Sequence, residues 1–89
     1  MFESATPSAL LANFRAEVLY EQSPAEARRM KQLAGRLRWT LKAARLSRRQ
    51  FAQQSGLALD LVVAVENGYG RVETGERVLA LARAGFEDR

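Results

Sequence analysis

One glycine, Gly56, constrains the fold of this chain more than any other residue of the sequence. It lies between two short segments with helical patterns, so we predict helices over 48–54 and 58–66. The turn between them must reverse the chain within a few residues, and glycine adopts the positive φ that such a reversal requires. Two helices that are joined so closely cross steeply and need a small residue where they meet, which Ala52 supplies.

The second of these helices has to bury one narrow face against the first. Val62 and Val65 provide that face at i, i+3 spacing, with Phe51 and Leu57 beside them. The spacing therefore predicts a helix-turn-helix. Its structural residues are Ala52, Gly56, Val62 and Val65.

Capping signals predict three more helices. A hydroxyl residue followed by proline begins the first two, because the hydroxyl caps free amide groups and proline has no amide to satisfy in the first turn. Thr74 begins the last helix, and Gly85 is expected to end it. The residues of this helix that are predicted to face inward are Val78, Leu81 and Ala82. These helices are predicted at 7–20, 24–45 and 74–84. No segment alternates with a period of two, so the prediction is an all-α, five-helix bundle. It divides into an N-terminal helical extension, 1–22, and a helix-turn-helix domain, 23–89.

The long helix predicted at 24–45 has one apolar face and an aromatic residue on the opposite face. The apolar stripe consists of Met30, Leu33, Ala34, Leu37, Leu41 and Ala44. Trp39 points away from this stripe, and an indole of that size in water calls for a cover. Either the N-terminal helix folds back on it or a second copy of the chain does. The residues available on the N-terminal helix are Leu10, Phe14 and Val18.

The distribution of charge favours a polyanionic partner. Nine basic residues and no acidic residue lie between Ala27 and Leu59, and the acids lie outside this block. Basic side chains that neutralise phosphates release counterions, which drives binding to nucleic acid. A charge-rich, solvated helix is the alternative interpretation of the same block.

Catalytic, metal and membrane functions find little support in the residues. The chain has no cysteine and no histidine, so we expect no disulfide, no zinc site and no histidine base. Gly68-Tyr69-Gly70 follows a predicted helix rather than a strand, which argues against a nucleotide cradle. We therefore expect no enzyme activity and no cofactor. The absence of a long apolar run and of a signal peptide favours a cytoplasmic location without membrane contact.

Three stretches of the chain match a known pattern at fixed spacing. They are Leu46-Ser47-Arg48-Arg49-Gln50-Phe51-Ala52, Val65-Glu66-Asn67-Gly68 and Leu79-Ala80-Leu81-Ala82-Arg83-Ala84-Gly85. With these motifs, residues 36–86 resemble the lambda-repressor-like helix-turn-helix family of phage repressors, Cro proteins, small bacterial regulators and some antitoxins. The resemblance implies a transcriptional regulator that binds double-stranded DNA as a homodimer, with two half-sites one helical turn apart.

The resemblance also implies roles for individual residues. Phosphate contacts are implied for Ser47, Arg48, Arg49, Asn67 and Arg71, and base-facing positions for Ala58, Leu59, Asp60 and Ala64. Reading bases in the major groove needs donors and acceptors, and here only the carboxylate of Asp60 qualifies. This acid has a second explanation, since a first-turn carboxylate interacts favourably with the helix dipole where Ala58 provides no cap.

Departures from the family pattern open a second hypothesis. Leu41 stands where many members have an arginine that pairs with the glutamate at position 66, so Glu66 is expected to find Arg38 or Arg45, or to stay in water. The second short helix also carries apolar residues that suit a protein partner better than a DNA groove. They are Leu59, Leu61, Val63 and Ala64. The alternative function is a protein-interaction module, antitoxin-like or an adaptor, that binds a protein through this face or through the N-terminal helix.

Overall fold

This computed structural model describes residues 16–87, and the secondary structure in this range consists of helices joined by short loops. Residues 16–19 form helix α1. The other helices are α2 (Pro24–Ala44), α3 (Arg48–Ser55), α4 (Leu59–Glu66) and α5 (Val72–Glu87). No strand occurs within this range. The predicted all-α fold with five helices is confirmed, and residues 7–15 of the first predicted helix lie outside the described residues.

The boundaries of α2, α3 and α4 agree with the prediction to within one residue, whereas α5 is longer at both ends. Its predicted start at Thr74 is wrong, because the helical hydrogen bonds already begin with the Gly75 N–H, which donates to the Arg71 carbonyl at 3.0 Å. Its predicted end before Gly85 is also wrong. Gly85 has no positive φ, and the helix continues through it to Glu87.

The core lies between α2 and α5, and α3 and α4 close it. All six residues of the predicted α2 stripe are buried. Val78 and Ala82 of α5 are buried as predicted, but Leu81, also predicted to face inward, is 39% exposed. Leu79 is buried in its place. The buried arc of α5 centres on Val78, Leu79 and Ala82, which leaves Leu81 at the edge of that arc.

The start of α2 is held by a capping box. Ser23 Oγ accepts a hydrogen bond from the Glu26 N–H at 3.1 Å, and Glu26 Oε1 accepts one from the Ser23 N–H at 2.8 Å. The Tyr20 hydroxyl donates to the other carboxylate oxygen of Glu26 at 2.7 Å. The Ser23 backbone N–H, followed by the Tyr20 hydroxyl, lowers the pKa of Glu26 below its ordinary value of 4.5.

The Glu26→Gln variant should lose less stability in acid than the wild type. Because the pKa of Glu26 is lower in the folded chain, its carboxylate contributes stability that is fully present above pH 4.5 and is lost as the pH falls through the folded value. Glutamine keeps the capping oxygen but does not titrate. Urea unfolding at pH 7 and at several values below pH 4.5 measures the difference, with the exposed Glu21→Gln as control. An identical acid-side slope for Glu26→Gln and wild type would contradict the assignment.

The residues that precede α2 contact the loop between α4 and α5. Gln22 Nε2 donates to the carbonyls of Gly68 and Gly70, both at 2.8 Å. Glu17 Oε1 accepts from the Arg71 N–H at 3.0 Å, and so satisfies one of the free amide groups at the start of α5. We call residues 16–22 the docked segment.

None of the helices between residues 16 and 87 combines the length and the apolar composition that crossing a membrane requires.

The described residues provide no cover for Trp39. The indole is 67% exposed, while Val18, one of its three predicted partners, belongs to the docked segment and is half-buried. Leu10 and Phe14, the other two, lie outside the described residues. The docked segment instead contacts the loop that follows α4, because Glu17 and Gln22 there meet free backbone groups of that loop.

Candidate nucleic-acid interface

The helix-turn-helix is formed by α3, α4 and the turn at Gly56. Gly56 adopts a left-handed conformation with φ 76° and ends α3, its N–H bonding to the Ala52 carbonyl. Ala52 is buried, and Val62 and Val65 are fully buried against the rest of the core. The four residues predicted to be structural therefore occupy the predicted places.

A groove runs along the start of α3 and the exposed side of α4. It has a volume of about 450 Å³. The residues that line it are Ser47, Arg48, Arg49, Leu59 and Val63. Ser47 caps α3, since its hydroxyl oxygen accepts from the Gln50 N–H at 3.0 Å and Gln50 Oε1 accepts from the Ser47 N–H at 2.9 Å. The remaining amide groups of this helix start, with the exposed Arg49, give this end of the groove a positive potential.

Arg48, one of the predicted phosphate ligands, also has an internal partner. Its Nε donates to Glu66 Oε1 at 2.9 Å, with the Arg48 side chain 57% exposed and the Glu66 side chain 5% exposed. The prediction that the Glu66 carboxylate finds Arg38 or Arg45, or stays in water, is wrong. Arg38 instead donates through Nη1 to the backbone carbonyl of Glu66 at 2.6 Å. The packing of α3 on α4 places Arg48, not a residue of α2, against this carboxylate.

The second carboxylate oxygen of Glu66 has no hydrogen-bond partner among the described residues. Oε2 is buried beside a cavity of about 280 Å³. The cavity is lined by Glu66 with Arg38, Leu41, Lys42, Leu46 and Arg48. Apart from the field of nearby cations, the buried carboxylate is therefore held by the single ion pair with Arg48.

The predicted base-facing residues do not share one exposed surface. Asp60 is exposed, Ala58 and Leu59 are half-buried, and Ala64 is buried with 4% exposure. The base-facing role predicted for Ala64 is therefore wrong. The Tyr69 N–H donates to the Ala64 carbonyl at 2.9 Å in the turn that ends α4. A buried side chain has no access to a DNA groove.

The apolar face that suggested a protein partner is smaller than the sequence indicates. Leu59 and Leu61 are half-buried because they pack against the hydrophobic core. Val63 is half-buried too, and Ala64 is buried. Much of the apolar surface of α4 therefore serves the packing of this chain itself.

Asn67 and Arg71, the other predicted phosphate ligands, lie at the two ends of the α4–α5 loop and are exposed. Asn67 Nδ2 donates at 2.9 Å to the Val63 carbonyl, which also accepts from the Asn67 backbone N–H at 3.1 Å. The guanidinium of Arg71 lies 5.1 Å from the centre of the Tyr20 ring, a cation–π contact. The structure thus brings Ser47, Arg48 and Arg49 together in the groove and places Arg71 against the docked segment.

Glu17, Tyr20 and Gln22 also shape this surface, although the sequence did not predict it. They contact residues 46 to 54 positions further along the chain, and no local pattern in the sequence signals such pairs. Tyr20 and Gln22 lie at a predicted helix end, which on its own indicates only a loop.

Comparison of the chain with protein-family models, with curated proteins and with solved structures finds no match. Among residues 16–87, no group of three or more acidic, histidine or cysteine side chains lies close enough together to hold a metal ion. The groove between α3 and α4 and the charges around it are therefore the features that bear on function.

Proposed function

We propose that this protein is a sequence-preferring transcriptional regulator that binds double-stranded DNA as a homodimer through α3 and α4. The observation that carries the proposal is the groove in which Ser47, Arg48 and Arg49 meet the start of α4. The basic block and the resemblance to lambda-repressor-like proteins support the same reading. In proteins of this geometry the second short helix enters the major groove, and a dimer spans two half-sites.

Phosphate contacts supply most of the affinity in this proposal. The start of α3 offers free amide groups, and Arg49 is exposed beside it without a hydrogen-bonded partner among the described residues. The Nε of Arg48 donates to Glu66, and the side chain is more than half exposed. Its terminal guanidinium nitrogens make no hydrogen bond to the described residues. Glu66 thereby positions Arg48, and the outer nitrogens bind a phosphate.

Base reading in this proposal depends on few side chains. Asp60 is the exposed acceptor at the start of α4 and suits the amino group of cytosine. Ala58 and Leu59 offer apolar contact to a thymine methyl group. With Ala64 buried, the discrimination between DNA sequences is expected to be small and the dependence on salt large.

The Arg49→Ala variant tests the groove. It should bind a fluorescently labelled DNA duplex more weakly than the wild type, and the slope of log K against log salt should fall by about one, the effect of one lost phosphate contact. Fluorescence anisotropy between about 50 and 200 mM salt measures both quantities, a range over which several phosphate contacts change affinity steeply. Arg49 is a better choice than Arg48, whose removal also disturbs Glu66.

The matched control is Arg83→Ala, which removes the same charge from an exposed position on α5. Its affinity should stay close to that of the wild type, with a salt slope that is unchanged. Equal losses for Arg49→Ala and Arg83→Ala would show that only net charge matters and would overturn the assignment of the groove. So would an absence of duplex binding at low salt.

A further inference from the structure

The exposed face of α2 carries an aromatic residue that the groove does not use. Trp39 lies opposite the buried stripe of this helix and is 67% exposed, although indole is among the largest apolar groups of a protein. It is not part of the groove of α3 and α4. A large ring held in water on the middle of a regular helix requires a reason beyond the fold.

Gly35, one turn before Trp39, strengthens this observation. Glycine destabilises a helix interior relative to alanine, and a Cβ at position 35 would meet nothing within 4 Å among the described residues, so their packing does not require glycine here. Long helical side chains lean towards the N-terminus, which for Trp39 is the direction of position 35, and the indole stays more than 4 Å from where a Cβ of residue 35 would lie. Because Gly35 has no side chain and Ala43 on the other side has only a methyl group, the described residues leave the ring open to a flat ligand.

Cations lie on the same side of α2 as this ring. Arg28, Arg36 and Lys42 are exposed, and at about 100° per residue they lie within about 60° of Trp39 around the helix. No acidic residue occurs between Ala27 and Leu59. Within residues 16–87 the ion pairs join Arg29 to Glu76 and Arg48 to Glu66, so these three cations have no carboxylate partner there. We call Arg28, Gly35, Arg36, Trp39 and Lys42 the Trp39 face.

The charge of the Trp39 face selects its occupant. In a symmetric contact with a second copy of the chain, the same cations would oppose one another, which is unfavourable. A polyanion is attracted, and a flat open aromatic ring adds affinity where that polyanion exposes planar groups. Bases of a single strand are exposed in this way, whereas a duplex buries their faces in its stack.

We propose that the Trp39 face binds single-stranded nucleic acid, with one base stacked on the indole and the backbone phosphates on Arg28, Arg36 and Lys42. From Arg28 to Lys42 the helix rises about 21 Å, enough for a strand of several nucleotides. This site is separate from the groove that is proposed to bind duplex DNA. Each can therefore fail without the other.

Tryptophan fluorescence provides a direct test, because Trp39 is the only tryptophan of the chain. Titration of the full-length protein with oligothymidylate should quench the emission in a saturable, salt-dependent way, since the stacked base contacts the ring itself. Polyglutamate of equal charge should quench little. Equal quenching by polyglutamate would identify an acidic protein surface as the partner and overturn the proposal, as would a lack of quenching by the oligonucleotide.

Three variants test the stacking contact and leave the cations of the Trp39 face in place. Trp39→Ala should lower the affinity for labelled oligothymidylate by about 5- to 150-fold, the range measured for loss of one stacked base. Gly35→Leu favours the helix but places a side chain beside the indole, so it should also weaken binding, whereas Gly35→Ala should bind almost as the wild type does. Unchanged affinity in both Trp39→Ala and Gly35→Leu would overturn the stacking assignment. Arg49→Ala should weaken duplex binding but leave the affinity for oligothymidylate unchanged, which distinguishes the two sites.

Discussion

Replacing Arg48 with alanine should lower the free energy of unfolding by about 2 kcal/mol, because it leaves a buried carboxylate without a partner. Glu66 is buried, its Oε2 already has no hydrogen-bond partner among the described residues, and its Oε1 is bonded to Arg48 Nε at 2.9 Å. Breaking a fully buried pair costs about 3 to 5 kcal/mol. We expect less here because Arg48 itself is more than half exposed, and water reaches its side of the pair. Urea unfolding at pH 7 measures the loss.

Two further variants identify the cause of this loss. Arg48→Ala combined with Glu66→Gln should be more stable than Arg48→Ala alone, because a neutral amide is less costly to bury unpaired than a carboxylate. Arg49→Ala, an exposed neighbour on the same helix, should change the stability by less than about 0.5 kcal/mol. If Arg48→Ala and Arg49→Ala are equally stable, the ion pair of Arg48 with Glu66 does not stabilise the fold.

Replacing Gly75 with valine should destabilise the protein by about 2 kcal/mol through overpacking. A Cβ at this position would lie 2.9 Å from Met30 Sδ and 3.2 Å from Leu33 Cδ1. Both of these side chains are fully buried on α2, where α5 crosses it. The flexible thioether of Met30 can yield to one methyl group, but the two further methyl groups of valine need space that the core does not have. Urea unfolding at neutral pH measures this loss as well.

Gly35→Val is the matched control for Gly75→Val. Position 35 lies in the interior of α2, and an added Cβ there would meet nothing within 4 Å. Valine has a higher helix propensity than glycine, so this variant should gain about 0.3 kcal/mol rather than lose stability. Opposite signs for the same substitution in two helix interiors would isolate packing as the cause. Equal losses at both positions would show that valine in a helix interior is the cause, and would contradict the role of close packing between α2 and α5.

The helices were predictable because their signals act over one or two turns. The capping boxes of Ser23 with Glu26 and of Ser47 with Gln50 join residues three positions apart, and the left-handed Gly56 acts on the turn that contains it. The apolar stripe of α2 likewise repeats within the helix. The start of α5 was less predictable from local signals, because the amide of Arg71 at this start bonds to Glu17 of a distant segment.

The candidate site was predictable only in part. Ser47 and Arg49 line the groove at the start of α3, since a cap and an exposed first-turn residue follow from the helix boundary. The burial of Ala64 did not follow from the sequence, because it depends on how α4 packs against the rest of the chain. The exposed Trp39 was expected to be covered, and the described residues leave it open.

By itself the sequence determined the number and type of the helices and the buried face of α2, since caps and apolar periodicity depend on neighbours within a few residues. Only the tertiary structure decided which cation meets Glu66, 18 residues from Arg48, and that Gln22 binds the carbonyls of Gly68 and Gly70, 46 and 48 residues away. Such contacts depend on how whole helices cross and on which free backbone groups then lie within reach. Residues so far apart in sequence come within hydrogen-bonding distance only when the chain is folded.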